Sequence, residues 1–323
     1  MAKQQDRRAA EHARHAKLAD AVAIGKELAG QALRRRAAVR RARRAAPVPA
    51  ARRRTRAAGP PAIPAATLRA LAAPPATGIL IAEGDSWFDY PLHDVLSMLA
   101  DEHGYDVESV AHKGDRVEDM AFAAGQFDDF ARLLEKMLGQ GRVPDAILLS
   151  GGGNDIAGDE FGMLLNHALS TLPPVNDDVA RGVIDVRLRN AYTSLISGVT
   201  AIAEQHLKRP IPIVLHGYAH AVPDGRGFLG GFSVLPGPWL QPGLLQKGHQ
   251  DLAANKVIVR TLIDRFNTML QQVSRMTGFE HVTYVDLRPA LRDDGRYKED
   301  WANELHPTKD GFREVAARIA AAI

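Results

Sequence analysis

A serine stands where an apolar run of the chain gives way to polar residues, in "ILIAEGDSWFDYP" at positions 79–91. Such a run, ended by Gly84, is typical of a buried strand that leads into a loop. Gly-Asp-Ser is also common in turns, so the tripeptide alone leaves Ser86 open as a turn residue or a nucleophile. A serine hydroxyl becomes an effective nucleophile when a neighbouring imidazole accepts its proton. Near the C-terminus, "NELHPT" supplies His306 as a candidate for that imidazole.

Two further segments contain groups that could stabilise an oxyanion. Acyl transfer passes through a tetrahedral intermediate whose charged oxygen must meet hydrogen-bond donors. The segment "HKGDR" contains Gly114, and "GGGNDIAG" contains Asn154. The backbone N–H groups of Ser86 and Gly114 and the side-chain amide of Asn154 could meet the oxyanion together. Without a Cβ, Gly114 would let its backbone approach the substrate closely. The glycine-rich segment could instead cradle phosphate, but it lacks the G-x-G-x-x-G spacing and a basic partner.

The elements that must position these residues alternate along the chain. Apolar runs predict strands at 79–83, 107–111, 146–150, 211–217 and 281–287. Amphipathic stretches between them predict helices at 92–102, 116–138, 186–208, 251–277 and 309–322. This alternation indicates an α/β fold with a parallel sheet covered on both faces. In such folds ligands bind beyond the carboxyl ends of the strands, which is where Ser86, Gly114 and Asn154 are expected to meet His306.

Four blocks carry a resemblance to a known family: Gly84-Asp85-Ser86, Gly114, Gly153-Asn154-Asp155 and His306. In this order and setting they resemble the SGNH (GDSL-type) hydrolases, over about residues 78–323. The resemblance implies a three-layer α/β/α sandwich with a flavodoxin-like sheet, and hydrolysis of esters without a metal. It also implies that Ser86 is the nucleophile and His306 the base, and that Gly114 and Asn154 complete the oxyanion hole.

The residue that should support the histidine departs from the family pattern. The family usually has an aspartate three residues before the histidine, and this chain has Asn303. An asparagine can accept a hydrogen bond from the imidazole but offers it no negative charge. Glu304 is charged and is the competing candidate, although its side chain is expected to point away. Asn303 is taken as the third catalytic residue.

The resulting functional hypothesis is a serine hydrolase of the esterase or lipase type that forms an acyl-enzyme on Ser86. A thioesterase or a carbohydrate O-acetylesterase would use the same groups. From another class, a nucleic-acid- or membrane-binding protein could use the body only as a scaffold. No cofactor or metal is expected, because His216 and His220 follow a strand instead of sharing a helical face.

Two long segments, 159–185 and 218–250, exceed the usual loop length and follow strands that lead to the proposed site. They are expected to form the walls or lid of a substrate pocket. Trp239 and Leu240 are candidate lining residues from the second segment. Trp87, beside the nucleophile, is a further substrate-binding candidate, with core packing as the alternative.

The charge of the chain is divided unevenly between a basic arm, residues 1–77, and an acidic body, residues 78–323. The arm has 18 Lys and Arg against 4 Asp and Glu, which leaves 23 against 34 for the body. Its first 45 residues favour helix, and the proline-rich segment 46–66 is typical of a linker. The arginine clusters could bind an anionic membrane or nucleic acid, or they could belong to a solvated tail.

Composition limits the remaining classes. The chain has no cysteine, so disulfides, thiolate metal sites and a cysteine nucleophile are excluded. No apolar stretch is long enough for a transmembrane helix, and no secretory signal is recognised near the N-terminus. The compartment is left open by these observations, with a cytoplasmic location as the default.

Overall fold

A computed structural model describes residues 2–45, 76–158, 160–230 and 235–323 of the chain, with side chains of the first range described for 16–41. The proline-rich linker predicted at 46–66 lies outside the described residues.

The centre of the fold is a sheet of five parallel strands in the order β2-β1-β3-β4-β5. The strands are β1 (Ile79–Glu83), β2 (Asp106–Ser109), β3 (Ala146–Leu149), β4 (Ile213–His216) and β5 (Val282–Val285). Two of the three inner strands, β3 and β4, are fully buried, because helices cover both faces of the sheet. This order, in which the direction of strand addition reverses after β2 so that β3 lies on the other side of β1, is the flavodoxin-like order. The predicted fold class, a three-layer α/β/α sandwich, is confirmed.

The helices are α1 (Ala2–Ala45), α2 (Val95–His103), α3 (Val117–Phe122), α4 (Ala124–Gly139), α5 (Asp177–Ala180), α6 (Arg189–Leu207), α7 (Gln241–Gln246), α8 (Leu252–Ser274) and α9 (Lys309–Ala320). A π-helical stretch, Arg181–Leu188, joins α5 to α6, and short 3₁₀ turns occupy Phe161–Leu164, Phe228–Gly230 and Tyr297–Glu299. No helix among the described ranges has an apolar stretch of the length that crossing a bilayer requires.

Two predicted boundaries are wrong. The predicted loop 159–185 ends early, because the helical segment begins at Asp177, where the side chain of Asn176 accepts a hydrogen bond from the Val179 backbone N–H. The single helix predicted at 116–138 is two helices. They are separated at Ala123, whose ψ of 116° is extended and cannot continue a helix.

The caps of two helices fix the loops that carry the proposed site. Asp94 and Ser97 form a capping box at the start of α2, which ends the loop that follows Ser86. Thr308 caps α9 by accepting a hydrogen bond from the Gly311 N–H, so the position of His306 is tied to the start of that helix. Both loops therefore end at a fixed point.

The first helix packs along α6 on the outside of the body. Its contact face is a stripe of small residues, with Ala21, Ala29 and Ala32 buried. The Ser194 hydroxyl donates a hydrogen bond to the Ala21 carbonyl oxygen at 2.7 Å, and a Cβ added to Gly25 would lie 2.1 Å from the Ser194 carbonyl oxygen. The two helices are therefore so close that a larger residue at position 25 would push them apart.

Ion pairs also join α1 to the body. Glu135 of α4 is buried and pairs with Arg36 and with Arg40, the latter at 3.2 Å, while Arg35 pairs with Asp128. A buried carboxylate without partners is costly, so these arginines stabilise α1 in place. The helical part of the predicted arm thus lies against the body. The division at residue 77 and the binding of an anionic surface stay predictions.

The packing of α1 gives a stability prediction. Gly25→Ala should lower the free energy of unfolding by about 1 to 3 kcal/mol, because the added methyl group meets backbone. Gly30→Ala on the same helix is the matched control. Its Cβ would meet only the flexible guanidinium of Arg34, at 3.2 Å, and the gain in helix propensity should leave stability unchanged or raised by up to about 1 kcal/mol. Denaturant unfolding checks both variants, and equal effects would contradict the close packing of α1 on α6.

Candidate active site

The turn that presents Ser86 is held by the buried carboxylate of Asp85. One oxygen of Asp85 accepts hydrogen bonds from the Trp87 backbone N–H at 3.0 Å and from the Ser150 hydroxyl at 2.9 Å. The other oxygen accepts a short hydrogen bond from the Tyr218 hydroxyl. Three donors from the ends of β1, β3 and β4 therefore meet at one carboxylate, which fixes the serine turn at the carboxyl edge of the sheet.

The structure brings Ser86, His306 and Asn303 into one hydrogen-bonded chain. The Ser86 Oγ lies 2.8 Å from His306 Nε2, and His306 Nδ1 lies 3.0 Å from Asn303 Oδ1. The backbone N–H groups of Leu305 and His306 donate to the same Oδ1, so this oxygen faces the ring. Because an amide oxygen only accepts, Nδ1 carries the hydrogen and Nε2 is free to accept the serine proton.

The imidazole of His306 is held as a neutral base. Its side chain is almost fully buried, and desolvation lowers the pKa of His306 to about 3. A buried imidazole favours the uncharged form, because the imidazolium would lose its hydration. At neutral pH the ring is therefore ready to accept a proton.

Glu304, the competing candidate for the partner of His306, instead binds backbone N–H groups of the segment after β4. Its carboxylate is completely buried and accepts hydrogen bonds from the backbone N–H groups of Gly225, Trp239, Leu240 and Gln241, at 2.7 to 3.1 Å. Burial raises the pKa of Glu304, and these four donors partly oppose that shift. The carboxylate therefore fixes the long segment after β4, and Asn303, not Glu304, is hydrogen-bonded to the His306 ring.

The loop that contains Gly114 is fastened on both sides. The Lys113 N–H donates to the Asp89 carboxylate at 3.1 Å, and the Asn154 side-chain N–H donates to the Asp115 carbonyl oxygen at 3.0 Å. Gly114 itself has a φ of 92°, in the left-handed region, and a Cβ there would meet no protein atom within 4 Å. The backbone conformation alone therefore favours glycine at this position.

Asp155, the last residue of the third block, supports the neighbouring helix. Its buried carboxylate accepts a hydrogen bond from the Val117 N–H at 2.9 Å, at the start of α3. Burial raises the pKa of Asp155 to about 6. The segment with Asn154 is thereby tied to the loop with Gly114.

An apolar pocket begins at Ser86 and extends toward α8. Its wall is formed mainly by hydrophobic side chains: Trp87, Ile156, Ala157, Phe161, Ala219, Ala221, Leu240, Val259, Leu262, Ile263, Phe266, Trp301 and Leu305. Asn154 and Tyr218 also line it. Two of the three predicted substrate-binding residues, Trp87 and Leu240, therefore face this pocket. Trp239 instead lies against His306, with ring centroids 5.4 Å apart and the planes at 74°.

Two tyrosines also belong to the site through contacts that the sequence did not predict. Tyr218 donates to Asp85 and accepts a hydrogen bond from the Gly153 N–H at 3.1 Å, so it links the serine turn to the glycine-rich segment. Tyr90 stacks on the ring of His306. Tyr218 lies just after β4, so the sequence could indicate its position at the carboxyl edge of the sheet, although not its contacts. The contact of Tyr90 with His306 depends on tertiary structure.

Comparison with known proteins gives a family match over most of the body. Residues 79–314 match the GDSL-like lipase/acylhydrolase family. Among curated proteins, no match was found. Similar solved structures include a protein assigned to the G-D-S-L lipolytic family from Desulfitobacterium hafniense (14% identity, 76% of this chain and 100% of that chain, TM-score 0.43). An acetylxylan esterase from Geobacillus stearothermophilus is also similar (14% identity, 75% and 92%, TM-score 0.37).

The matched range contains the strand end with Ser86, the glycine-rich segment with Asn154 and the histidine at 306, and it covers well over half of the chain. This protein is a member of the GDSL-like lipase/acylhydrolase family of hydrolases.

Proposed function

We propose that the protein hydrolyses carboxylic esters through an acyl-enzyme on Ser86. The observation that carries the proposal is the continuous chain from Ser86 Oγ to His306 Nε2 at 2.8 Å and from His306 Nδ1 to Asn303 Oδ1 at 3.0 Å. A base within hydrogen-bond reach of the hydroxyl, itself oriented by a third group, is the arrangement that activates a serine.

The proposed oxyanion hole uses the backbone N–H groups of Ser86 and Gly114 and the side-chain amide of Asn154. One hydrogen of the Asn154 amide is used by the Asp115 carbonyl oxygen, which fixes the amide in place. The second hydrogen stays available for a substrate oxygen. Donors that are fixed before the reaction stabilise the developing charge without a cost of reorganisation.

In the proposed reaction, His306 Nε2 takes the proton of Ser86 as Oγ forms a bond to the ester carbonyl carbon. The tetrahedral intermediate then collapses, its bond to the leaving oxygen breaks, and the imidazolium of His306 gives the proton to that oxygen. A water molecule, deprotonated by the same histidine, attacks the acyl carbon. The bond between the acyl carbon and Ser86 Oγ then breaks, the imidazolium returns its proton to Oγ, and the acid leaves.

The apolar pocket favours an aliphatic acyl group as the substrate moiety. From Ser86 onward its wall is made mainly of hydrophobic side chains, several of them from α8 and from residues 156–161. Burial of each methylene of an acyl chain there would contribute about 0.8 kcal/mol. An aliphatic ester therefore suits this pocket better than an acetylated sugar, whose hydroxyl groups would require polar partners. A thioester of the same acyl group would fit the same pocket.

A chain-length series tests this assignment. Wild-type kcat/KM should rise from p-nitrophenyl acetate to butyrate and octanoate. Ala157 is half-buried in the pocket wall, so Ala157→Leu should lower kcat/KM for octanoate by about tenfold and change the value for acetate by less than about twofold. Ala317→Leu, on the exposed side of α9, is the matched control and should change neither.

Acetylated xylo-oligosaccharides and an octanoyl thioester complete the substrate panel. A wild-type preference for the acetylated sugar over all aliphatic esters would contradict the acyl-pocket assignment, and a preference for the thioester would make the protein a thioesterase.

A further inference from the structure

The third residue of the proposed catalytic chain carries no charge. Among the described residues, the hydrogen-bond partners of the His306 ring are Ser86 and Asn303, and neither is ionised. The imidazolium that forms when His306 takes the serine proton therefore lacks the carboxylate that usually stabilises it. Some other group must supply that support, or the site must do without it.

Tyr90 contacts both His306 and Asn303. Its ring is stacked on the His306 ring, with centroids 4.2 Å apart and the planes at 18°. Its hydroxyl accepts a hydrogen bond from the side-chain N–H of Asn303 at 3.0 Å. Phe228 and Phe312 flank the Tyr90 ring at 5.8 and 5.9 Å, which keeps the ring in this position.

We propose, on the basis of the proposed function, that Tyr90 is a positioning residue that replaces part of the missing carboxylate. The face of an aromatic ring is electron-rich and attracts a cation held over it, and the attraction is stronger where water is excluded. The ring of Tyr90 therefore stabilises the imidazolium more than the neutral imidazole. This preference favours proton transfer from Ser86.

The hydroxyl of Tyr90 acts through Asn303. It holds the amide nitrogen, so that the amide oxygen stays on Nδ1 of His306. The same hydroxyl can turn and donate to a carboxylate. An aspartate at position 303 would therefore fit the site without displacing Tyr90.

The alternative is that Tyr90 only packs against the histidine. A double-mutant cycle separates the two roles, because a packing role does not depend on charge at position 303. Tyr90→Leu should lower kcat by about tenfold with KM little changed. In the Asn303→Asp background, where a carboxylate stabilises the imidazolium, the same substitution should cost less than about threefold. Tyr105→Leu, at a half-buried tyrosine just before β2, is the control and should leave kcat unchanged.

An equal loss in both backgrounds, or no loss in either, would overturn the inference. If Tyr90→Leu does not fold, Tyr90→Phe replaces it. This variant keeps the ring and should cost about threefold, but nothing measurable in the Asn303→Ala background, because the hydroxyl acts only through Asn303. A threefold loss that persists in that background would also contradict the inference. Failure of the wild-type protein to hydrolyse any ester would instead remove the proposed function itself.

Discussion

Ser86→Ala should lower ester turnover by about 10³-fold or more while the protein stays folded. The substitution removes the attacking oxygen, and what remains is the stabilisation by the oxyanion hole and by binding. The half-buried Ser86 hydroxyl is hydrogen-bonded to His306 Nε2, so its removal leaves this one ring nitrogen without its partner. The thermal unfolding temperature should therefore change little.

His306→Ala should have an effect of the same order, because within the part of the chain that the structure describes no other base is hydrogen-bonded to Ser86 Oγ. The matched control is His281→Ala. His281 is also partly buried and bonded to a hydroxyl, that of Thr200 at 2.8 Å, but it lies just before β5, at the opposite edge of the sheet. Turnover should stay within about twofold of wild type in this control. Comparable losses in the two histidine variants would point to a general loss of folding and contradict the assignment.

Asn303→Ala should lower kcat/KM by about 10- to 100-fold. The substitution removes the acceptor that fixes the His306 tautomer, and it also leaves the N–H groups of Leu305 and His306 without their partner. Asn303→Asp should preserve or raise kcat/KM, because a charge-assisted hydrogen bond is roughly twice as strong as a neutral one.

The pH dependence distinguishes these variants. With the pKa of His306 lowered to about 3 by burial, the base of the wild-type protein stays neutral down to low pH. The acid limb of kcat/KM should therefore lie well below pH 6.5, the ordinary value for histidine. A carboxylate at position 303 favours the imidazolium, so Asn303→Asp should move this limb toward higher pH. Profiles of kcat/KM from about pH 4 to 9 check this shift. Movement of the acid limb toward lower pH in Asn303→Asp would contradict the contact between residue 303 and the His306 ring.

Glu304→Gln serves as the comparison at the neighbouring position. Its main effect should be a lower unfolding temperature, because an amide cannot accept all four backbone N–H groups that the carboxylate holds. Any loss of turnover should follow from displacement of Trp239 and Leu240. If Glu304→Gln abolished turnover while Asn303→Ala stayed near wild type, Glu304 would be the residue that supports the base.

The sequence was sufficient to predict that Ser86 and His306 meet, because both follow elements whose ends converge at the carboxyl edge of a parallel sheet. It also predicted that Asn303, at three residues' separation, could reach the imidazole. The contacts of Tyr90 and Tyr218 could not be predicted in the same way. Each depends on how two loops far apart in the chain pack, and neither loop has a periodic pattern.

The packing of α1 against the body was not predicted, because its many charged residues are typical of a solvated helix. The arginines that suggested a solvated arm flank a stripe of small residues, Ala21, Gly25 and Ala29, spaced four apart. Residues at this spacing share one face of a helix, and small side chains there allow two helices to approach closely. The stripe was visible in the sequence, but its partner, Ser194 on α6, could be identified only from the fold.

Fluorophosphonate labelling followed by mass mapping tests whether Ser86 is the activated nucleophile. The wild-type protein should take up one phosphonyl group, located on the peptide that contains Ser86, and the Ser86→Ala protein should take up none. His306→Ala should be labelled much more slowly, because the reagent requires an activated hydroxyl. Stoichiometric labelling of the Ser86→Ala protein, or ester hydrolysis by a wild-type protein whose Ser86 stays unlabelled, would show that Ser86 is not the nucleophile.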